Sequence, residues 1–172
     1  MKNFVIKHKA SLLLFLAVIC VQVFIFSFSI RDGETSSAQS SAVVELVGPA
    51  VEEILPVVKV EPTPDNVVIF VRKSGHFLEF ALLGIVSFLA MGSVWKKGLF
   101  AMPAALGLAF LTACADEFIQ SFSPGRASRF TDVLIDSAGA LTGILLAWLL
   151  AICIRAIVRS RRARKMAKEQ LT

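Results

Sequence analysis

Side chains that could do chemistry are concentrated in three short stretches of this chain, VRKSGHFLEF, ADEFIQSFSPGR and ASRFTDVLID. A histidine near carboxylates could transfer protons, so the candidate catalytic residues are His76, Glu79, Asp116 and Glu117. Arginines and lysines could hold a phosphate or carboxylate through charge-assisted hydrogen bonds, with amides and carboxylates orienting them. The candidate ligand-binding residues are Lys73, Gln120, Arg126, Arg129, Asp132 and Asp136. The three stretches therefore predict either a proton-transfer site or an anion-binding site.

Helical spacing would bring several of these side chains onto shared faces, because residues three, four or seven apart lie on one side of a helix. His76 and Glu79 follow Arg72 at the fourth and seventh positions and would form one polar stripe. A second shared face is offered by Asp116 or Glu117 with Gln120.

The third stretch predicts a helical stripe with carboxylates at one end and glycines at the other. Asp136, Gly139 and Gly143 follow Asp132 at the fourth, seventh and eleventh positions. The carboxylates would face other ionisable groups, and the glycines would let a neighbouring helix approach closely.

Glu79 and Asp136 each lie about one turn inside an apolar run, where an unpaired charge is costly. Each should therefore face the interior of a helix bundle and find a partner. The cations available as partners are Arg72, Lys73, His76, Arg126 and Arg129. A structural alternative is a salt-bridged cap that pins three helix ends together, with Asp132 as the N-cap of the last helix.

No metal site and no cofactor are expected from this pattern. His76 and Glu79 form a single HxxE pair, and the only other histidine, His8, precedes the first apolar run. A zinc site read from sequence spacing would need further nitrogen or sulfur ligands.

The elements that must position these residues are membrane spans. Hydrophobic residues make up 56% of the 172 residues and charged residues only 18%. Soluble domains contain about 45–50% apolar residues and about 25% charged residues. Four apolar runs, at about residues 11–30, 75–94, 99–115 and 133–157, are each close to the ~17–25 residues that cross a bilayer. We predict an all-α integral membrane protein, a bundle of four transmembrane helices.

The first run could instead be a signal peptide, because Lys2, Lys7 and Lys9 precede it and small residues follow at 36–38. However, it is longer than the roughly 7–15 apolar residues of a signal peptide, and no clean A-x-A site follows directly. An uncleaved helix is therefore favoured.

Basic residues beside membrane spans mark the cytoplasmic side, because they resist translocation. The first span is preceded by Lys2, Lys7 and Lys9, and the second and third spans are separated by Lys96 and Lys97. The fourth span is followed by Arg155, Arg159, Arg161, Arg162, Arg164, Lys165 and Lys168. Both termini are therefore predicted to be cytoplasmic, and the three polar stretches to meet on the extracytoplasmic side. The Pro124-Gly125 turn would return Arg126 toward the other polar residues.

Residues 31–71 are predicted to form an acidic extracytoplasmic loop. Its start, RDGETSSAQSS, has the composition of a flexible linker, and Pro62 and Pro64 are expected to prevent a regular helix in EPTPDN. The segment AVVELVGPAVEEILPVVKV fits either a broken amphipathic helix on the outer membrane surface or a partly ordered loop. The chain then divides into a flank with the first span (1–30), this loop (31–71), a three-helix membrane core (72–157) and a basic cytoplasmic tail (158–172) that would contact anionic lipids.

The cysteines and the net charge do not indicate any other function. Cys20, Cys114 and Cys153 lie in or beside apolar runs without CxxC spacing, and are expected to be small buried residues with no metal or redox role. The net charge of +5 does not indicate nucleic-acid binding, because the basic residues gather beside the spans.

The ordered motifs RKSGHFLEFALLG, ADEFIQSFSPGR and FTDVLIDSAGALTG resemble those of the VanZ-like family of bacterial membrane proteins, over about residues 71–150. One departure is Asp136, where the family pattern often has asparagine. The resemblance implies a cell-envelope protein of the bacterial cytoplasmic membrane. The family's namesake is linked to reduced sensitivity to the glycopeptide teicoplanin, but a family alone does not supply chemistry.

Three functions are compatible with these observations. The leading hypothesis is an outward-facing pocket that binds an anionic amphiphile, a lipid phosphate or a cell-wall intermediate, with Lys73, Arg126 and Arg129 holding its head. The second is a membrane-embedded hydrolase or transferase in which His76 works with an acidic partner. The third is a scaffold for other envelope proteins. Membrane lipids are the expected partners, and the sequence does not indicate an oligomeric state.

Overall fold

The computed structural model describes residues 2–31, 33–95, 100–125 and 128–169. Within these ranges the chain forms five α-helices and no β-strand: α1 (Lys2–Ser29), α2 (Gly33–Ile54), α3 (Pro64–Val94), α4 (Ala101–Gln120) and α5 (Phe130–Glu169). Four segments are long and apolar enough to cross a membrane, namely Lys9–Ser29, Pro64–Val94, Ala101–Gln120 and Phe130–Arg164. The predicted all-α fold with four candidate spans is confirmed.

Helix α3 begins at Pro64, well before the apolar run that predicted it. The expectation that the prolines of EPTPDN exclude a helix is wrong for Pro64, which occupies the first turn, where a backbone N–H is not needed. The side chain of Thr63 caps the helix by accepting the backbone N–H of Asn66 at 3.3 Å. The polar residues from Arg72 to Glu79 therefore lie within a regular helix.

The prediction of a flexible linker is wrong, because helix α2 begins at Gly33. The serine-rich residues that follow Gly33 are helical, and the helix continues through Pro49 to Ile54 before a turn at residues 55–59. Val51 and Leu55 are buried against Val67 of α3. This tertiary contact stabilises a helix that its polar composition alone does not favour.

Helices α3 and α5 form the most extensive helix pair in the described part of the chain. A Cβ atom at Gly139 or Gly143 of α5 would overlap the backbone carbonyl oxygen of Phe77 or Ala81 of α3, respectively. Only glycine permits this approach, so the close packing predicted from the α5 stripe is confirmed.

Helix α1 packs against α3 and α4. Ile25 joins Phe80 and Leu83 of α3 in a fully buried core. The side chain of Gln22 donates a 2.8 Å hydrogen bond to Thr112 of α4. These contacts fix α1 as a member of the bundle.

Large apolar side chains cover the outside of the bundle, and Leu13, Leu111, Phe118 and Leu150 are 62–67% exposed. Such a surface suits hydrocarbon rather than water, in agreement with four membrane spans.

The three cysteines also lie on this outer surface. Cys20, Cys114 and Cys153 are free and exposed, so the expectation that they are buried in the protein is wrong. An apolar run does not distinguish an interior face from a lipid face, because lipid tails are as apolar as leucine.

Helix α5 is longer than a bilayer requires. It continues without interruption from Phe130 to Glu169. Its 40 residues span about 60 Å, whereas the hydrocarbon core of a bilayer is about 30 Å thick. Arg155, Arg159 and Arg161 are exposed on its distal half. The predicted basic tail is therefore a helical extension of the last span, and its cytoplasmic location remains a prediction.

Candidate functional site

One end of the bundle, which we call the polar end, contains the polar stretches of α3, α4 and α5. Its central feature is a cavity of about 250 Å³, the polar cavity. The lining residues are Ile69, Arg72, Lys73, His76, Gly125, Arg129, Asp132, Ile135 and Asp136. The convergence of α3 and α5 side chains, which was expected from the predicted topology, is therefore present.

Charge is distributed along the depth of the polar cavity. Arg129 is exposed, Arg72 and Lys73 are half-buried, and Asp136 is only 1% exposed. The three cations and the partly exposed Asp132 therefore lie nearer the mouth of the cavity, and the carboxyl group of Asp136 lies at its bottom.

Lys73 and Asp132 join α3 to α5 at this cavity. The Lys73 Nζ donates to Asp132 Oδ1 at 2.6 Å, with the two side chains 35% and 27% exposed. Asp132 lies in the first turn of α5, inside the helix, and so is not the N-cap. A carboxylate in this turn is favoured by the helix dipole, and a pair this exposed contributes little stability by itself.

Asp116, near the end of α4, is fully buried and accepts hydrogen bonds from two neutral side chains. The Ser29 hydroxyl donates to its Oδ1, and Gln120 Nε2 donates to its Oδ2 at 2.5 Å. Ser29 is itself fixed, because Ser123 donates to its carbonyl oxygen at 2.9 Å. The sequence interpretation missed Ser29, although a hydroxyl within an apolar run can form such interhelical hydrogen bonds.

Glu117 connects α4 to the segment that precedes α5. It is 5% exposed, and its Oε2 accepts the backbone N–H of Arg129 at 2.8 Å. Gly125 has a φ of 74°, as expected for the glycine of the predicted Pro124-Gly125 turn. Arg126 lies outside the described residues, so its return toward the cavity remains a prediction.

His76, Asp116 and Asp136 come together from three helices, and we call them the triad. Each offers one nitrogen or oxygen atom, and these atoms all lie within 4.8 Å of one another. Two buried carboxylates so close together repel each other in a medium of low dielectric constant. The arrangement therefore favours a proton or a cation between them, and it could serve proton transfer or metal binding.

The other candidate residues lie at varying distances from the cavity. Glu117 and Gln120 are buried at the end of α4, where Gln120 binds Asp116. Glu79 is half-buried on α3 but is not among the residues that line the cavity. Asp136 is buried as expected, and the interior partner expected for Glu79 stays a prediction.

An apolar groove of about 590 Å³ adjoins the polar cavity. It shares Ile69, Lys73 and Ile135 with the cavity, and the rest of its lining is Leu55, Val60, Asn66, Phe70, Ser74, Phe77 and Leu78. Lys73 therefore lies where the polar cavity meets an apolar surface.

The profile of one protein family, described as VanZ/LLP1, matches residues 13–151 of this chain. The chain belongs to the VanZ/LLP1 family. The match extends beyond residues 71–150, since it also includes α2 and most of α1, and it contains every residue that lines the polar cavity. No curated protein and no solved structure matches the chain. Membership in the VanZ/LLP1 family agrees with the four candidate spans, and the chemistry must be argued from the site.

Proposed function

We propose that this VanZ/LLP1 protein is a bacterial envelope protein of the cytoplasmic membrane whose polar cavity binds the head group of an anionic amphiphile. The ligand would be a lipid phosphate or a phosphate-bearing cell-wall intermediate. The observation that supports this most strongly is the continuity of the polar cavity with the apolar groove at Lys73.

The polar cavity has the charge that an anionic head group needs. Arg72, Lys73 and Arg129 line it and could each donate charge-assisted hydrogen bonds to phosphate oxygens. Its volume of about 250 Å³ suits a head group rather than a complete ligand, because pockets for drug-sized molecules measure about 300–1,000 Å³.

The apolar groove would hold an acyl or isoprenoid chain. Phe70, Phe77 and Leu78 give it an apolar wall beside the cavity. A lipid chain is already surrounded by hydrocarbon in the membrane, so the groove would supply position and selectivity rather than affinity. The predicted topology places this site in the extracytoplasmic leaflet.

Native mass spectrometry of the purified chain tests the head-group site. Phosphatidic acid should bind more tightly than phosphatidylcholine with the same chains, and inorganic phosphate should bind weakly because it lacks an apolar part. Lys73→Gln and Arg129→Gln should each weaken phosphatidic acid binding about tenfold, the lower end of what a charge-assisted hydrogen bond contributes. Arg161→Gln removes a cation from the distal part of α5 and should change nothing. Equal binding of the two lipids, or equal losses in all three variants, would contradict the proposal.

Two nearby valines test the groove. Val60 lines it, whereas Val57, in the turn just before Val60, is 80% exposed and does not line it. Val60→Asp should weaken binding of the long-chain lipid without affecting inorganic phosphate, and Val57→Asp should affect neither. If the two variants behave alike, the groove does not hold the lipid chain.

Glycopeptide resistance is the physiological role that we propose to test. Expression of the protein in a susceptible host should raise the inhibitory concentration of teicoplanin. Lys73→Gln should remove the effect and Arg161→Gln should keep it. No change with the wild-type chain would refute the link to resistance while leaving the lipid measurement intact.

A second candidate function, a membrane-embedded hydrolase or transferase, is favoured by the triad, because two of its members, His76 and Asp136, line the cavity. In that case His76 would move a proton between the ligand and a carboxyl group. Incubation with the lipid should then give a product of altered mass with the wild-type chain and none with His76→Gln. Binding without any new product would leave only the binding function.

A further inference from the structure

We propose that His76 and Asp136, which line the polar cavity, form a binding site for a divalent transition-metal cation together with the buried Asp116. This goes beyond the proposed function, because it concerns the protein without an amphiphile. It also departs from the expectation, drawn from sequence spacing, of no metal site.

The geometry of the triad is close to that of a metal centre. The three ligand-type atoms come from α3, α4 and α5 and lie within 4.8 Å of one another. Nitrogen and oxygen ligands at about 2.0–2.2 Å from a Zn²⁺ ion are separated by about 3–4 Å. Small side-chain movements would therefore bring all three atoms to one ion.

Asp136 supplies an independent observation. Only 1% of the residue is exposed, and its Oδ1 has no hydrogen-bond partner among the described residues. The side chain lines the cavity together with His76. A buried carboxyl oxygen without a partner is costly, and a cation would satisfy it. The ion pair at the cavity occupies Asp132 and leaves Asp136 to the triad.

Asp116 is oriented in the way that metal-binding carboxylates are. Its two oxygens accept hydrogen bonds from Ser29 and Gln120, which fix the plane of the carboxyl group. Such outer hydrogen bonds hold a ligand in place and leave a lone pair for the metal. Ser29 and Gln120 are therefore positioning residues for this site.

The set of donor atoms selects the kind of cation. One imidazole and two carboxylates suit Zn²⁺ or Mn²⁺ better than Mg²⁺, which prefers oxygen ligands alone, or Cu⁺, which prefers sulfur. Three protein ligands also leave a coordination position free, as in sites where a metal meets a bound molecule.

Metal binding by the purified full-length chain tests this proposal without lipid. After removal of metal with a chelator, titration with Zn²⁺ or Mn²⁺ should show one ion per chain, and Mg²⁺ should bind much more weakly. His76→Gln and Asp136→Asn should each weaken metal binding about 100-fold. Loss of a residue that hydrogen-bonds to a metal ligand lowers metal affinity about 10- to 100-fold, and loss of the ligand itself should lower it at least as much. Asp136→His restores a ligand and should retain Zn²⁺.

Matched controls separate the triad from other ionisable groups. His8→Gln removes the other histidine, and Glu53→Gln removes an exposed carboxyl group of α2 outside the triad. Both should bind the metal as the wild type does. Wild-type affinity in His76→Gln and Asp136→Asn would overturn the proposal.

Cobalt spectroscopy covers the case in which those two variants fail to fold. Co²⁺ in the wild-type chain should give visible absorption bands of a low-coordinate site, and an equal amount of Zn²⁺ should displace them. The spectrum of aqueous Co²⁺ in the presence of folded wild-type chain would overturn the proposal. Because no lipid is present, failure here leaves the proposed lipid binding untouched.

Discussion

Lys73 of α3 and Asp132 of α5 form an ion pair of 2.6 Å at the boundary between the polar cavity and the apolar groove. The pair holds the lysine ammonium group over the cavity before any ligand arrives. An incoming phosphate would compete with Asp132 for the same ammonium group. The ion pair therefore determines how much of the positive charge of Lys73 is available to a ligand.

Asp132→Asn should consequently tighten the binding of phosphatidic acid, whereas Lys73→Gln weakens it. Loss of the competing carboxylate should raise the affinity by up to about 5-fold, since an ion pair this exposed contributes about 1 kcal/mol or less. The measurement is the dissociation constant by native mass spectrometry. If Asp132→Asn weakens binding as much as Lys73→Gln does, the pair itself forms the site and the competition does not exist.

Gly139→Ala and Gly143→Ala should each destabilise the bundle. The added methyl group would meet the carbonyl oxygen of Phe77 or Ala81 and force α3 and α5 apart, at a cost of about 1–3 kcal/mol. Thermal unfolding in detergent should show the loss. Gly107→Ala is the matched control, because a Cβ there meets open space, and it should be neutral or slightly stabilising. Similar melting of all three variants would refute the close α3–α5 contact.

Ser29→Ala should destabilise the protein by about 1–3 kcal/mol, because it removes a hydrogen bond to the buried carboxyl group of Asp116. The same thermal measurement applies. Ser27→Ala, in the same helix, removes a hydroxyl that is exposed and bonds only within α1, so it should change stability by less than about 0.5 kcal/mol. Equal effects of the two substitutions would mean that α1 is not fixed through Asp116.

The four spans could be predicted from the sequence because bilayer thickness dictates the length of an apolar run. The meeting of the polar stretches followed from the alternation of helix direction, which brings the start of α3, the end of α4 and the start of α5 to the same end. Helical spacing also placed Asp132 and Asp136 on the stripe that continues into Gly139 and Gly143.

Other features depend on contacts that local sequence does not contain. Helix α2 has a polar, serine-rich start, and what stabilises it is the burial of Val51 and Leu55 against Val67. The triad joins residues of three helices, so no HxxE or similar spacing reveals it. Ser29 lies within an apolar run, and what distinguishes it is its hydrogen bond to Asp116 of α4, which local sequence does not contain.

The predicted topology can be tested with introduced cysteines. Cys20, Cys114 and Cys153 are exposed on the outer surface and should tolerate replacement by alanine. In that background, Glu61→Cys should react with a membrane-impermeant maleimide in intact cells. Trp95→Cys and Ser160→Cys should react only after permeabilisation, because basic residues retain that side in the cytoplasm. The reverse pattern would place the polar cavity on the cytoplasmic side.

Photo-crosslinking tests the central claim, lipid binding at the joined cavity and groove, most directly. A phosphatidic acid with a photoreactive acyl chain would be bound to the purified chain, irradiated, and its attachment sites mapped by mass spectrometry. We expect attachment concentrated at residues 69–78 of α3, reduced by unlabelled phosphatidic acid and by Lys73→Gln but not by phosphatidylcholine. Attachment spread evenly over outward-facing residues such as Leu111 and Leu149, without competition, would contradict the account.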